Sequence, residues 1–135
     1  MTDPIFDHEK LRVYQEAILF VTWWTSTADR APGRLAVRDQ IDRASTSIPL
    51  NIAEGNAKQS PRERCHYLDI ACGSAFECAA GLDVLVAQGK LAATDANTGK
   101  RHLHAIVGML RKLRNSVADR VSDAQVEYDS GGLSE

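Results

Sequence analysis

Gln40-Ile41-Asp42-Arg43-Ala44-Ser45-Thr46-Ser47-Ile48-Pro49-Leu50-Asn51-Ile52-Ala53-Glu54-Gly55 carries two stripes at helical spacing. Gln40, Arg43, Ser47, Asn51 and Glu54 recur at steps of 3, 4, 4 and 3, so a helix sets them on one face. Val37, Ile41, Ala44, Ile48 and Ile52 form an apolar stripe, roughly 100° away around the helix. The pair of stripes predicts a core-facing helix with a polar row beside its seam. Such a row needs partners, either between helices or from a bound molecule. Pro49 sits inside the pattern and deprives one carbonyl of its donor, which predicts a kink near Ala44–Ser45. Ser45, Thr46 and Ser47 offer hydroxyls for the freed carbonyl. A helix broken at Pro49 is the alternative.

Outward from this stretch the chain reads as helices separated by short breakers. The first helix is expected over Asp7 to Asp29. Leu11, Tyr14, Ile18, Val21 and Ala28 make one stripe; Val13, Ala17, Phe20 and Trp24 make a second, with Trp23 beside them. A helix of a simple monomeric bundle needs one apolar stripe of ~100°. The excess predicts a second burial surface, most economically between subunits. Ala31-Pro32-Gly33 is the expected turn, and the second helix runs from about Leu35 to Ala57. Ser60-Pro61-Arg62-Glu63 is a capping box with proline at the first helical position. The third helix ends near Gln88, with Gly89 as the residue after its cap. Its seam is Cys65, Leu68, Cys72, Ala75, Ala79, Leu82 and Val86, mostly small residues that let a neighbour approach closely. Thr94 or Asp95 caps the fourth helix, whose seam is Leu103, Ile106, Leu110, Leu113 and Val117. It is expected to end between Val121 and Val126, leaving residues 127–135 as a flexible acidic tail on a single domain spanning 1–126. Short loops between long helices predict an all-α, antiparallel up-down-up-down four-helix bundle.

The chain has 135 residues, 44% apolar and 25% charged, which suits one globular domain. No apolar run is expected to approach the ~18 residues of a membrane span, and the N-terminus lacks a signal peptide's basic and apolar regions. A cytoplasmic protein is expected. Cys65, Cys72 and Cys78 all fall in the third helix, with no CxxC or His–Cys spacing, and read as small hydrophobes rather than a disulfide framework or zinc site. The net charge is −2, but the charges are unevenly spread. No acid lies between Asp95 and Asp119, a window that holds Lys100, Arg101, His102, His104, Arg111, Lys112 and Arg114. Asp119, Asp123, Glu127, Asp129 and Glu135 follow.

Three blocks carry a resemblance to a known family. They are Phe6-x-x-x-x-Leu11-x-Val13-Tyr14-Gln15-x-Ala17, then Gln40-x-x-Arg43-Ala44-x-x-Ser47-Ile48-Pro49-x-Asn51-Ile52-Ala53-Glu54-Gly55, then Tyr67-Leu68-x-Ile70-Ala71-x-Gly73-Ser74-x-x-Glu77. With these the chain resembles the four-helix-bundle proteins first noted as reading frames in intervening sequences of bacterial 23S ribosomal RNA genes. The resemblance covers residues 6 to about 115. It implies a left-turning four-helix bundle and assembly as a ring-shaped homopentamer. A related branch serves as the accessory protein of diversity-generating retroelements, where it engages nucleic acid and a reverse transcriptase.

Two groups of residues are candidate sites. Gln40, Arg43, Ser47, Asn51 and Glu54, with Glu77 of the third helix, read as a structural polar network. In it an Arg43–Glu77 pair satisfies two charges that are costly to bury alone. Lys100, Arg101, His104, Arg111 and Lys112 lie within one broad face of the fourth helix, a candidate nucleic-acid contact that a ring would repeat. Catalysis is not expected. His8, His66, His102 and His104 show no spacing that pairs them with a serine or cysteine. Glu63-x-x-His66 is the one Glu-x-x-His in the chain, so the two that a bundle-core di-metal site needs do not occur, nor does a Gly-x-Gly-x-x-Gly fingerprint or a phosphate loop. No cofactor or metal is expected, and the expected partners are further copies of this chain and, weakly, RNA or DNA.

Overall fold

The computed structural model describes residues 3–30 and 36–133. A 3-10 turn at Asp7–Lys10 precedes four helices: α1 Arg12–Asp29, α2 Ala36–Ala57, α3 Pro61–Ala87 and α4 Ala93–Leu133. Among the described residues there is no strand. The expected Ala31-Pro32-Gly33 turn lies outside the described residues. The first helix starts later than expected because Leu11 is extended (φ −72°, ψ 125°) and acts as the N-terminal cap residue of α1. The turn before it is held locally, with the Ile5 amide donating to Glu9 Oε2 at 2.7 Å.

Each helix packs on two others, in the cyclic order α1–α2–α3–α4. The contacts set the register. Gly55, late in α2, meets Arg64 and Tyr67, early in α3, while Ile41, early in α2, meets Gly81, late in α3. Asp69 pairs with Arg114, and Asp83 with Lys100. All of Val37, Ile41, Ala44, Ile48 and Ile52 are buried, as the α2 stripe predicts. The second stripe of α1 is buried as well, and Trp24 donates from its indole to Asp42 Oδ1 at 2.7 Å. Burial of a polar ring edge is tolerated because that donor is satisfied. The first stripe of α1 is half-buried from Leu11 to Val21, and Trp23 lies over Gly99 of α4. Part of the surplus apolar surface on α1 is thus absorbed within the bundle.

The helix ends follow their local chemistry. Ser60 Oγ accepts from the Glu63 amide at 3.4 Å, with Pro61 opening α3. At the other end Gly89 has φ +70°, which only glycine adopts without strain. The Gly89 amide donates to the Val86 carbonyl and the Lys90 amide to the Leu85 carbonyl, both at 2.9 Å, closing a Schellman motif.

Several expectations are corrected. α2 runs through Pro49, as its reading inside the helix predicts, but the nearby hydroxyls act one turn earlier than expected: Ser45 donates to the Asp42 carbonyl, and Thr46 to those of Asp42 and Arg43. Thr94 and Asp95 lie inside the first turn of α4 rather than capping it, since the Ala96 amide already bonds the Ala92 carbonyl. α4 does not end between Val121 and Val126 but runs to Leu133, because no glycine or proline interrupts it before Gly131. Of the expected α3 seam, Cys65, Leu68, Ala75 and Leu82 are buried while Cys72, Ala79 and Val86 are only partly so, and Ala71, Cys78, Gly81 and Leu85 are buried instead, because α3 packs on both α2 and α4. Finally, α3 is long and apolar enough to cross a membrane by length and composition alone. Counting charge-free runs overlooks this, because a few scattered charges interrupt an otherwise apolar helix. A core helix meets the same measure.

Candidate interaction surfaces

The polar row of α2 divides into two parts. Ser47 and Asn51 are half-buried and face α3. Ser47 Oγ and Ser74 Oγ share a hydrogen bond of 2.8 Å. Asn51 Nδ2 donates to Ser47 Oγ at 2.9 Å and to the Ser47 carbonyl at 2.8 Å. Three polar groups thereby satisfy one another at the edge of the helix interface.

Gln40, Arg43, Glu54 and Glu77 are exposed. Among the described residues no ion pair joins Arg43 to Glu77. The Ser47–Ser74 register brings the two residues to nearly the same level, but both side chains stay in water. A surface pair is worth only ~0–1 kcal/mol, so nothing compels it to form. Glu54 instead reaches Lys58 of its own helix at 3.6 Å.

The basic face of α4 is also divided. Lys100 Nζ bonds Asp83 Oδ1 at 2.7 Å, and the Arg111 guanidinium lies 5.3 Å from the centre of the Phe76 ring. These two lean toward α3, while Arg101 and His104 project outward near Asn97 and Ala105. Lys112 turns to the opposite side, beside Arg12, Val13 and Met109. Between α3 and α4 runs a groove of about 280 Å³ with Phe76, Leu103 and Val107 along it and Lys100, His104 and Arg111 at its rim. Phe76 is 50% exposed there. The acidic partners Asp83 and Asp69 and the aromatic Phe76 are absent from the sequence-based site. Their only signal is their place on the outer side of α3, level with the basic window.

Cys65, Cys72 and Cys78 form no disulfide. Burial, reinforced by the neighbouring Glu77 carboxylate, pushes the Cys78 thiol up to about 12, so it stays protonated near neutrality. Cys65 is buried, with Sγ 3.7 Å from the Arg114 carbonyl, and Cys72 is half-buried. Among the described residues no three His, Cys, Asp or Glu side chains gather as a metal site.

These features define an all-α four-helix bundle with a hydrogen-bonded α2–α3 seam and a basic, partly apolar α3–α4 flank. Residues 9–112 match the family model of the 23S rRNA-intervening sequence proteins, and the chain belongs to that family. A crystal structure of a protein of unknown function from the S23 ribosomal protein family of Bacteroides thetaiotaomicron VPI-5482 is similar, with a TM-score of 0.69 and 20% identity. The alignment covers 76% of this chain and 95% of that one. At that identity the likeness speaks for the shared fold alone. No curated protein matches the chain.

Proposed function

We propose that this protein is a non-enzymatic, homo-oligomeric scaffold or interaction protein, built as an antiparallel up-down-up-down bundle. The register of α2 on α3 and of α3 on α4 supports the antiparallel arrangement. The oligomeric reading is carried by one observation: large apolar side chains stand in water on three helices. Leu19 of α1 is 54% exposed and Leu50 of α2 67%, while Ile70, Phe76 and Val84 of α3 are exposed as well. Exposed apolar surface of this extent is what subunit contacts cover. Membership in the family supports a ring-shaped homopentamer, and three free thiols support a reducing compartment, the cytoplasm. Light scattering at micromolar concentration is expected to give a mass several times the 14.8 kDa of the chain. A clean monomer across that range would end this reading.

A second reading, a nucleic-acid-binding accessory protein, is favoured by Arg101, His104, Arg111 and Lys112, all exposed on the acid-free part of α4. Binding of RNA or DNA is expected to weaken steeply with salt and on charge reversal of these residues with Lys100. No binding at low salt would sink it.

A further inference from the structure

Ile5 and Phe6, neighbours in the chain, stand in water, 84% and 65% exposed. They do not do so by fraying. The Ile5 amide donates to Glu9 Oε2 at 2.7 Å, the Phe6 ring stacks on His8 at 5.9 Å, and Asp7 Oδ2 accepts from Asn56 Nδ2 of α2 at 3.0 Å. Pro4 stiffens the segment further, since it fixes its own φ and keeps Asp3 out of the helical region. A segment already anchored with two large apolar side chains outward loses little more entropy when they are covered. It also carries an exposed carboxylate on either side, Asp3 and Asp7. The α3–α4 groove has the complementary character. Phe76, Leu103 and Val107 line it, and Lys100, His104 and Arg111 stand at its rim. Among the described residues no carboxylate pairs with Arg111. The lengths agree: Asp3 to Asp7 spans at most about 14 Å, and the rim from Lys100 to Arg111 about 16 Å along α4.

The segment cannot reach the groove of its own chain. The 3-10 turn packs on α1 and α2, and the groove lies on the opposite flank of the bundle. Asp7 is tied to Asn56, at the end of α2 that meets Arg64 and Tyr67. Phe76 lies about 14 Å further along α3. We propose that residues 3–7 of one copy of this chain dock in the α3–α4 groove of the next. Ile5 and Phe6 then cover Phe76, Leu103 and Val107, and the two aspartates face Lys100 and Arg111. The proposal rests on the homo-oligomeric reading in requiring that copy, but it starts from Ile5 and Phe6, which that reading does not use. Lys100 can serve an incoming carboxylate while keeping Asp83, since an ammonium has three donors. Segment and groove are unlike surfaces on opposite flanks, so the contact is head-to-tail and repeats from copy to copy until it closes.

Two full-length variants test this. One carries Ile5→Ser and Phe6→Ser and keeps the groove; the other carries Phe76→Ala and Arg111→Glu and keeps the segment. All four side chains are exposed, and circular dichroism melts check that each variant is folded. In light scattering, the concentration of half-association is expected to rise about tenfold in either variant alone. Mixed, the two are expected to form pairs of twice the 14.8 kDa chain mass, because one intact segment meets one intact groove and the series of contacts stops there. A second measurement uses the native chain. Isotope-labelled and unlabelled copies are mixed and treated with a carbodiimide, which joins a lysine amine to a carboxylate without a spacer. Mixed-isotope links from Lys100 to Asp3 or Asp7 are expected, while the Lys100–Asp83 link stays within one copy. Should a variant fail to fold, the links alone decide. A multimer that neither variant weakens, or that gives no mixed-isotope link to residues 3–7, would overturn the proposal and leave the oligomeric reading standing. Folded variants that dissociate but do not pair on mixing would overturn it as well. A native chain that scatters as a monomer ends both.

Discussion

The two flanks of α3 differ in how they are closed. Toward α2, glycine and small side chains bring the backbones together, and hydroxyls satisfy one another across the seam through Ser47 and Ser74. A Cβ built on Gly81 would fall 2.5 Å from Ile41 Cγ1, so this flank has no spare room. Toward α4, contact is made by long charged side chains, Asp83 with Lys100 and Asp69 with Arg114, over a groove that leaves Phe76 half in water. A close-packed seam transmits any change in volume, whereas a flank bridged by flexible side chains leaves surface for another molecule. One helix thus serves both stability and recognition by presenting small residues on one side and long ones on the other.

The largest expected effect comes from opening the tight side. Ile48 is fully buried in the α2 stripe, and Ile48→Ala should cost ~2–5 kcal/mol in urea unfolding. Phe76→Ala, in the groove, should cost clearly less, because half of that ring already faces solvent. Equal losses would erase the contrast between the flanks. The two glycines give a sharper version, with opposite signs. Gly81→Ala forces Ile41 aside and should destabilise by ~1–3 kcal/mol. Gly108 borders the groove with nothing within 4 Å of a new Cβ. There Gly108→Ala should stabilise by ~1 kcal/mol, the helix-propensity difference alone.

The thiols test the same difference chemically. Cys78 lies between Ser74 and Gly81 in helical order and shares their α2-facing side. Cys72 falls two turns after Cys65, whose Sγ contacts α4, and so belongs to the other flank. A thiol reagent near pH 8 should modify Cys72 well before Cys78. The folded protein holds the Cys78 proton from its ordinary 9.0 up to about 12. Between those values the unfolded chain has lost that proton and the folded chain has kept it. Stability should therefore fall as pH rises through this window, by up to ~1.4 kcal/mol per pH unit. Below pH 9 the contribution is fully present. Cys78→Ala should flatten that slope relative to the native chain; an unchanged slope would mean the thiol does not report a closed seam.

Much of this architecture is legible in the amino-acid sequence, and the reasons are local. Val37 to Ile52 read as core because a helix fixes which residues share a face, and all five are buried. Ser60 and Gly89 read as helix ends because their roles depend only on neighbouring amides and carbonyls. Partners of charged side chains were not legible in this way. Arg43 and Glu77 were matched by charge and level, yet both remain in water. Asp83 and Asp69 were chosen by lateral spacing between α3 and α4, which no sequence period encodes. Trp23 is similar: its surplus on α1 looked like subunit surface until Gly99, 76 residues later, supplied the space for it. Interactions fixed within a turn of helix can be read from the chain, while those fixed by the distance between helices cannot.

The smallest predicted effect separates hydrogen bonding from charge as the means of closing a flank. Ser47→Ala leaves Ser74 and Asn51 each short of one partner, but all three are half-buried and water can replace it. The loss should be ~0.5–1.5 kcal/mol. In a double-mutant cycle with Ser74→Ala the coupling should be ~0.5 kcal/mol or more, the two hydroxyls being in direct contact. Lys100→Ala with Asp83→Ala should give a coupling of similar or smaller size, since that pair is partly exposed. Salt distinguishes them. Raising it from about 0.05 to 0.5 M should largely remove the Lys100–Asp83 coupling and leave the Ser47–Ser74 coupling unchanged, because screening acts on charges and not on neutral hydroxyls. If both couplings fall together, the α2–α3 seam is held by the same screened electrostatics as the α3–α4 flank, and the division of labour between the two sides of α3 disappears.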